Sequence, residues 1–204
     1  PRAQDHVGSV VDHHAAHDDV GEVVYRDTAC CATGELILRI HDALGITPLT
    51  KDVAVPLYAA IVADTGGFRY PATRAETMRI GGRLLDAGAE PWTTAYELFE
   101  GWELPRLRLL GAVLETLNTA LDGKLALLRV TRAMLAEHGA TDDMVEGMVN
   151  YGRMLTGVEV AALLWEWPAV DASGNARLDT KVSLRTRGTI NVATIAVMLG
   201  GGGH

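Results

Sequence analysis

The stretch Val10-Val11-Asp12-His13-His14 passes from an apolar run into a carboxylate and two imidazoles within three residues. A buried strand looks like this when it delivers polar groups to a site at its C-terminal end. Ligand sites of open α/β sheets lie at such strand ends. One Asp and two His offer oxygen and nitrogen donors suited to Mn, Fe or Zn, or to gripping phosphate. Alone, an Asp-His-His run could be a surface loop. A second stretch, Ile61-Val62-Ala63-Asp64-Thr65-Gly66-Gly67-Phe68, repeats the pattern: an apolar segment, an acid, then small residues that allow close approach. A third, Gly200-Gly201-Gly202-Gly203-His204, ends the chain.

Composition bounds the reading. The chain has 204 residues, 48% of them apolar and 22% charged, enough for one large domain or two small ones. With 18 basic and 26 acidic side chains, the net charge of −8 argues against a surface for long duplex DNA. A short anionic substrate held by a few Arg and metal ions remains compatible. No apolar run approaches the roughly 18 residues of a membrane span, and no signal-peptide pattern is visible. Cys30 and Cys31 are adjacent, so they form no ordinary bridge with each other, and there is no CxxC zinc pattern. A reducing cytoplasm is the simplest expectation.

Strand and helix signals alternate along the first hundred residues, which argues for an α/β layer with a parallel sheet. Residues 7–12 and 21–25 read as strands. Residues 29–43 read as a helix with apolar positions at helical spacing, stopped by Gly45. Thr50 caps a second helix that runs to Asp64, with Pro56 near its start. Asp12 and Asp64 are thus delivered by a strand end and a helix end. An Asx-turn with Gly66 is the structural alternative for Asp64. Against it, an acid at a helix C-terminus opposes the macrodipole unless something positive is near. Arg69 could grip a phosphate or be solvated. Thr73 and Glu76 make a capping box for a helix over 74–87, and Pro91 opens another short one.

Gly101 to Pro105 is the plausible boundary, leading into a long helix over about 105–121. Beyond it, 124–131, 158–167 and 179–187 read as strands, 141–154 and 192–199 as helices, and 171–175 as a hairpin turn. Ser183, Arg185 and Arg187 alternate and so share one strand face, which suits phosphate or sugar; a solvated sheet edge is the alternative. The glycine run would let main-chain N–H groups approach an anion. Asn150, Tyr151 and Arg153 lie on the polar side of their helix. The sparse aromatics Phe68, Tyr70 and Tyr151 suit one or two bases rather than a long strand.

The ordered set Asp12-His13-His14, Asp64-Thr65-Gly66 and Gly201 to His204 resembles the DHH/DHHA1 phosphoesterase family. Within it the chain is similar to the oligoribonuclease (nanoRNase) and pAp-phosphatase branch, which includes bacterial cyclic-di-AMP phosphodiesterases. The resemblance implies that residues 1–101 are the C-terminal part of a DHH catalytic domain. Residues 102–122 would be a connecting helix, and 123–204 a smaller, truncated α/β DHHA1 substrate-binding domain. It implies hydrolysis of short oligoribonucleotides, cyclic or linear dinucleotides and pAp, with two Mn²⁺ ions activating water in the complete enzyme. Asp12, His13, His14 and Asp64 would be the catalytic set. His13 and Asp64 match metal ligands, Asp12 a group that orients an imidazole, and His14 a contact to the scissile phosphate. Arg69, Ser183, Arg185, Gly201, Gly202, Gly203 and His204 would help hold the substrate.

The family also has an upstream Asp-x-Asp motif, a further bridging Asp and a final strand, which this chain does not show. The expectation is therefore a piece of an enzyme, metal-poor and weak or inactive as written. Two other readings stay open: a relative acting on pyrophosphate or single-stranded DNA, and a nucleotide-binding module without hydrolysis. Apolar helices such as residues 30–44 could serve a homodimer.

Overall fold

Val10 and Val11 lie in strand β1 (Ser9–Asp12), which pairs in parallel with β2 (Val23–Arg26). The structure is a computed structural model that describes residues 8–14, 22–171, 173–187, 190–198 and 200–201. The expected residues Val7 and Gly21 lie outside these, as do Gly202, Gly203 and His204. The fold is α/β, and the chain divides into two units, Pro1–Gly101 and Trp102–His204.

In the first unit the register sets Asp12 against Arg26. The strands are less buried than their sequence suggests: Val10 and Val11 are half-buried, Val23 and Tyr25 exposed. β-branched residues select an extended backbone whether or not something covers them. Helix α1 (Thr33–Ala43) starts four residues later than its periodicity suggests. Asp27 holds the intervening residues in a turn, accepting from the Ala29 N–H at 2.9 Å through its carboxylate and from the Cys30 N–H at 3.1 Å through its carbonyl.

Helix α2 (Lys51–Asp64) packs on α1 at Gly34, where an added Cβ would lie 3.0 Å from the Leu57 carbonyl. Pro56 sits just after the first turn of α2, as expected, and is exposed. Ala54, Leu57, Tyr58 and Ile61 are buried on either side of it, and that packing carries the helix past the missing N–H. Helices α3 (Ala75–Asp86) and α4 (Pro91–Phe99) complete the unit. The cap of α3 is one residue on from the expected one: Arg74 is the N-cap, and its N–H donates to Thr77 Oγ1 at 3.2 Å.

The second unit corrects the connecting helix. Helix α5 covers only Leu104–Glu115, and residues 118–120 form strand β3 (Asn118–Ala120). Leu121 and Asp122 both take positive φ, 54° and 55°. That is a hairpin turn, and it pairs β3 antiparallel with β4 (Leu125–Val130). The Thr116 hydroxyl helps end α5, donating to the Val113 carbonyl at 2.7 Å and accepting from the Arg129 N–H at 2.9 Å. α5 packs onto its own unit: Leu109 and Val113 are fully buried with Leu128, Met148 and Leu163.

Helix α6 (Arg132–His138) was not legible as a helix, although Thr131 caps it from the Met134 N–H and Gly139 ends it at φ 62°. The helix expected over 141–154 is a 3₁₀ turn (Asp142–Val145) and a separate α7 (Val149–Arg153), with Gly147 at φ 83° between them. Strands β5 (Val160–Val170) and β6 (Ala176–Thr186) form a hairpin, and α8 (Ala193–Met198) follows. The sheet order is β3-β4-β5-β6, with β4 and β5 parallel and the other pairs antiparallel. Gly152 lets α7 lie on this sheet: a Cβ there would meet the side chains of Ala126, Ala161 and Leu128 at 3.2 Å.

Candidate active site

The first unit brings together the four residues expected to carry chemistry. His13 follows β1 and Asp64 ends α2, and His13 Nε2 lies 3.3 Å from Asp64 Oδ2. His13 is 14% exposed and Asp64 41%, so the pair is open to solvent from the carboxylate side. Asp12 is turned to His14: its Oδ1 accepts from the His14 backbone N–H at 3.0 Å and lies 2.7 Å from Nδ1. With Asp12 ionised, that contact puts the His14 ring proton on Nδ1. Arg26 Nε lies 3.6 Å from the other Asp12 oxygen, a consequence of the parallel register. The two imidazoles are 4.2 Å apart between centroids.

Asp64 is held by the turn after it. Thr65 is fully buried; its hydroxyl donates to the Ile61 carbonyl at 2.6 Å and accepts from the Phe68 N–H at 3.0 Å. Gly66, Gly67 and Phe68 take φ of 58°, 72° and 63° in succession. The Gly66 N–H donates to the Ala63 carbonyl, so the Asx-turn weighed as the alternative for Asp64 is not made there. A Cβ on Gly66 would lie 2.4 Å from the Tyr70 ring, so this position requires glycine. Phe68 is an uncommon residue at positive φ. Its ring is anchored against Tyr58, 6.0 Å between centroids, and sits over Gly81, where a Cβ would lie 3.3 Å away. Phe68 and Tyr70 are therefore packed into this turn. Arg69 is exposed, and its Nε donates to the Gly66 carbonyl at 2.5 Å, which sets the guanidinium beside the turn.

Behind the site lies a charged network that sequence reasoning missed. Glu35 is 0% exposed and accepts from Arg39 at 2.6 Å, Arg74 at 2.9 Å and the Cys31 N–H at 3.2 Å. Burial pushes its carboxyl up, but the Cys31 groups and the Arg74 and Arg39 charges outweigh this and hold it below its usual value. Asp27 is held low by the Ala29 N–H and by Arg39, to which it bonds at 2.8 Å. The Cys30 thiol is pushed up to about 12 by burial and by its bond to Asp27, and burial also raises Cys31. Both cysteines are buried. The one available signal was the Glu35–Arg39 spacing of four, which usually marks an exposed pair.

The donors fit part of a metal centre. Ligands held at roughly 2.0–2.2 Å from one ion lie about 3 Å from each other, and His13 Nε2 and Asp64 Oδ2 stand near that separation. Among the described residues, no group of three or more His, Cys, Asp or Glu is arranged to hold a metal.

In the second unit, Ser183 pairs with Leu163 and Arg185 with Ala161, so both lie on the sheet face that carries the core. Arg185 is exposed and donates to the Leu184 carbonyl at 2.9 Å. Gly201, expected to offer its N–H to an anion, instead donates it to the Ala196 carbonyl at 2.8 Å, with Gly200 at φ 78°. That is a helix C-cap, and it commits this amide. Tyr151 is half-buried against Trp102, 6.5 Å between centroids, and packs on the core instead of offering an open ring face.

No protein-family model matches the chain. The bifunctional oligoribonuclease and PAP phosphatase NrnA of Thermus thermophilus is 30% identical over 197 residues, covering 95% of this chain and 55% of that protein. The chain is similar to a DHH phosphoesterase of this kind over nearly its whole length. A second DHH relative, the Bacillus subtilis protein of the same name, is 24% identical and again covers 95% of the chain, with 59% of its own length matched. An exopolyphosphatase-related protein from Bacteroides fragilis has a solved structure similar to this one. Its TM-score is 0.85 at 26% identity, over 97% of this chain and 56% of that one. The chain thus spans a little over half the length of the DHH relatives it matches. Among the described residues, no helix is long and apolar enough to cross a membrane.

Proposed function

We propose that this chain carries part of the catalytic apparatus of a metal-dependent phosphoesterase acting on short oligoribonucleotides, linear or cyclic dinucleotides such as cyclic-di-AMP, and pAp. The observation that carries the reading is the approach of His13 and Asp64, 51 residues apart in the chain, to 3.3 Å, beside the Asp12–His14 pair. The names of the curated relatives, oligoribonuclease and PAP phosphatase, support the substrate class.

In this reading His13 Nε2 and Asp64 Oδ2 hold a divalent ion, proposed to be manganese. Lewis acidity toward the phosphate and the attacking water is the chemistry such an ion supplies when bound. Asp12 orients His14 through Nδ1, which leaves Nε2 for the scissile phosphate, to which it donates in the imidazolium form. Arg26, close to the other Asp12 oxygen, helps hold that carboxylate in place. Arg69, set beside the turn by its bond to Gly66, neutralises a further phosphate oxygen. On the second unit, Ser183 and Arg185 offer a hydroxyl and a guanidinium for a phosphate or a sugar.

The test is release of AMP from the dinucleotide pApA and of phosphate from pAp by this chain with added Mn²⁺. Asp64→Asn should lower turnover about 100-fold, and chelator should abolish it. Turnover that survives both changes rejects the metal reading. Tight binding of pApA without any turnover fits both a piece of this enzyme and a nucleotide-binding module, and the same assay on a chain spanning the full length of the relatives separates the two.

A further inference from the structure

The β5–β6 face continues past Ser183 and Arg185 into groups that the reading above does not use. Trp165 pairs with Lys181 and Trp167 with Asp179. Paired residues, and residues two apart on a strand, share a face. Trp165, Trp167, Lys181, Ser183 and Arg185 therefore lie on one side of the hairpin. The two indoles meet edge to face, 4.9 Å between centroids at 88°. Lys181 Nζ lies 5.0 Å from both ring centroids, within cation–π range.

Three observations separate this cluster from ordinary packing. Trp165 is 7% exposed, yet its Nε1 has no hydrogen-bond partner among the described residues. A buried donor left unpaired costs about 1–3 kcal/mol, so the group calls for an explanation. Trp167 is 38% exposed next to it, on a strand where a smaller residue would pair as well. The third is charge. Asp179 is neutralised by Arg177 at 2.9 Å, which leaves this face net positive through Lys181, Arg185 and Arg187 on a chain of net −8. Along β6, Lys181, Ser183 and Arg185 span roughly 13 Å at the strand rise, more than one phosphate of a short strand requires.

We propose that the outer part of this face is a base-binding subsite, in which Trp167 stacks a nucleobase of a short oligoribonucleotide and Lys181 meets the adjoining phosphate. The subsite rests on the nucleotide reading above and gives it a length preference. A nucleotide whose phosphate sits at Ser183 and Arg185 places its neighbour against Trp167. An indole face accepts any base, so the preference is for length and not for sequence.

The experiment is calorimetric binding of pAp and of the trinucleotide pApApA to the 204-residue chain, in chelator so that neither is cleaved. Trp167→Leu should weaken pApApA roughly 5- to 50-fold, within the range of one lost stacking contact, and change pAp by less than twofold. Lys181→Gln should weaken pApApA less and flatten its salt dependence by about 0.7 in the log–log slope, one phosphate contact on a single strand. Lys181 is exposed, so this variant carries the test if Trp167→Leu lowers the thermal midpoint sharply. Wild-type affinity for pApApA in both variants overturns the subsite, as does an equal loss for pAp and pApApA; either result leaves the nucleotide reading standing. A wild-type chain that binds neither ligand rejects that reading and the subsite together.

Discussion

Replacing Gly66 with Ala tests how the turn after Asp64 is built. Gly66 and Gly67 both have positive φ, 58° and 72°, so either substitution pays the left-handed cost of about 1 kcal/mol. Their surroundings differ. A Cβ on Gly66 would lie 2.4 Å from Cζ of Tyr70 and 2.7 Å from both Cε atoms, whereas on Gly67 the nearest atom is Phe99 Cε2 at 3.7 Å. No real Cβ contact survives at 2.4 Å, so the Tyr70 ring must leave its place, an overpacking cost of about 1–3 kcal/mol. Gly66→Ala should therefore destabilise by about 2–4 kcal/mol and Gly67→Ala by about 1 kcal/mol. The assay is urea unfolding with both m-values checked against wild type. A double-mutant cycle adds Tyr70→Ala, which removes the clash and should recover at least about 1 kcal/mol of the Gly66→Ala loss. Equal costs at the two glycines, or no coupling to Tyr70, would refute the packing argument. Because this turn follows Asp64 directly, Gly66→Ala should also depress hydrolysis of pApA more than Gly67→Ala does.

Two further predictions concern the groups that hold the site. Thr65→Val keeps the shape but leaves the Phe68 N–H without the acceptor it has at 3.0 Å, and should cost about 1–3 kcal/mol in the same unfolding assay. Glu35→Gln removes a buried charge from two arginines that are 39% and 41% exposed and can re-solvate, so the loss should be about 2 kcal/mol, below the range for a fully buried pair. The pH dependence has a definite sign. Glu35 and Asp27 titrate lower in the folded chain than their ordinary values of 4.5 and 3.8. Their stabilisation is present above those values and is lost as pH falls through the folded ones. Wild type should thus lose stability more steeply than Glu35→Gln below about pH 4.5; parallel curves would show that the network adds nothing.

Much of the site was legible because its signals are local. An apolar β-branched run ending in Asp12, and an apolar helix ending in Asp64 and two glycines, each announce themselves within eight residues. Their outcomes in the fold follow from short-range sterics: strand, helix, left-handed turn. The hairpin at Asp171 was legible for the same reason, since its carboxylate accepts from the Ser173 and Asn175 N–H groups close by. The errors arose where local signals were balanced. Residues 116–121 carry enough leucine to extend α5, but pairing with β4 and a positive-φ turn at Leu121 take them into a hairpin. Helix α6 is one short segment whose burial rests mainly on Leu135, too few turns for a periodic pattern to stand out.

What the sequence by itself determined is therefore the residue types at the ends of elements, and with them the family resemblance and the donors available. Only the tertiary structure decided which of those groups meet. That His13 faces Asp64 while Asp12 turns to His14 depends on how α2 packs against α1 at Gly34 and on the register of β1 with β2. That Glu35 is a buried hub, and that Trp167 and Lys181 share a face with Arg185, depends on contacts between residues up to 39 positions apart. Periodicity reports which face a residue takes on its own element, but partners across elements are chosen by packing and pairing, and those are properties of the folded chain.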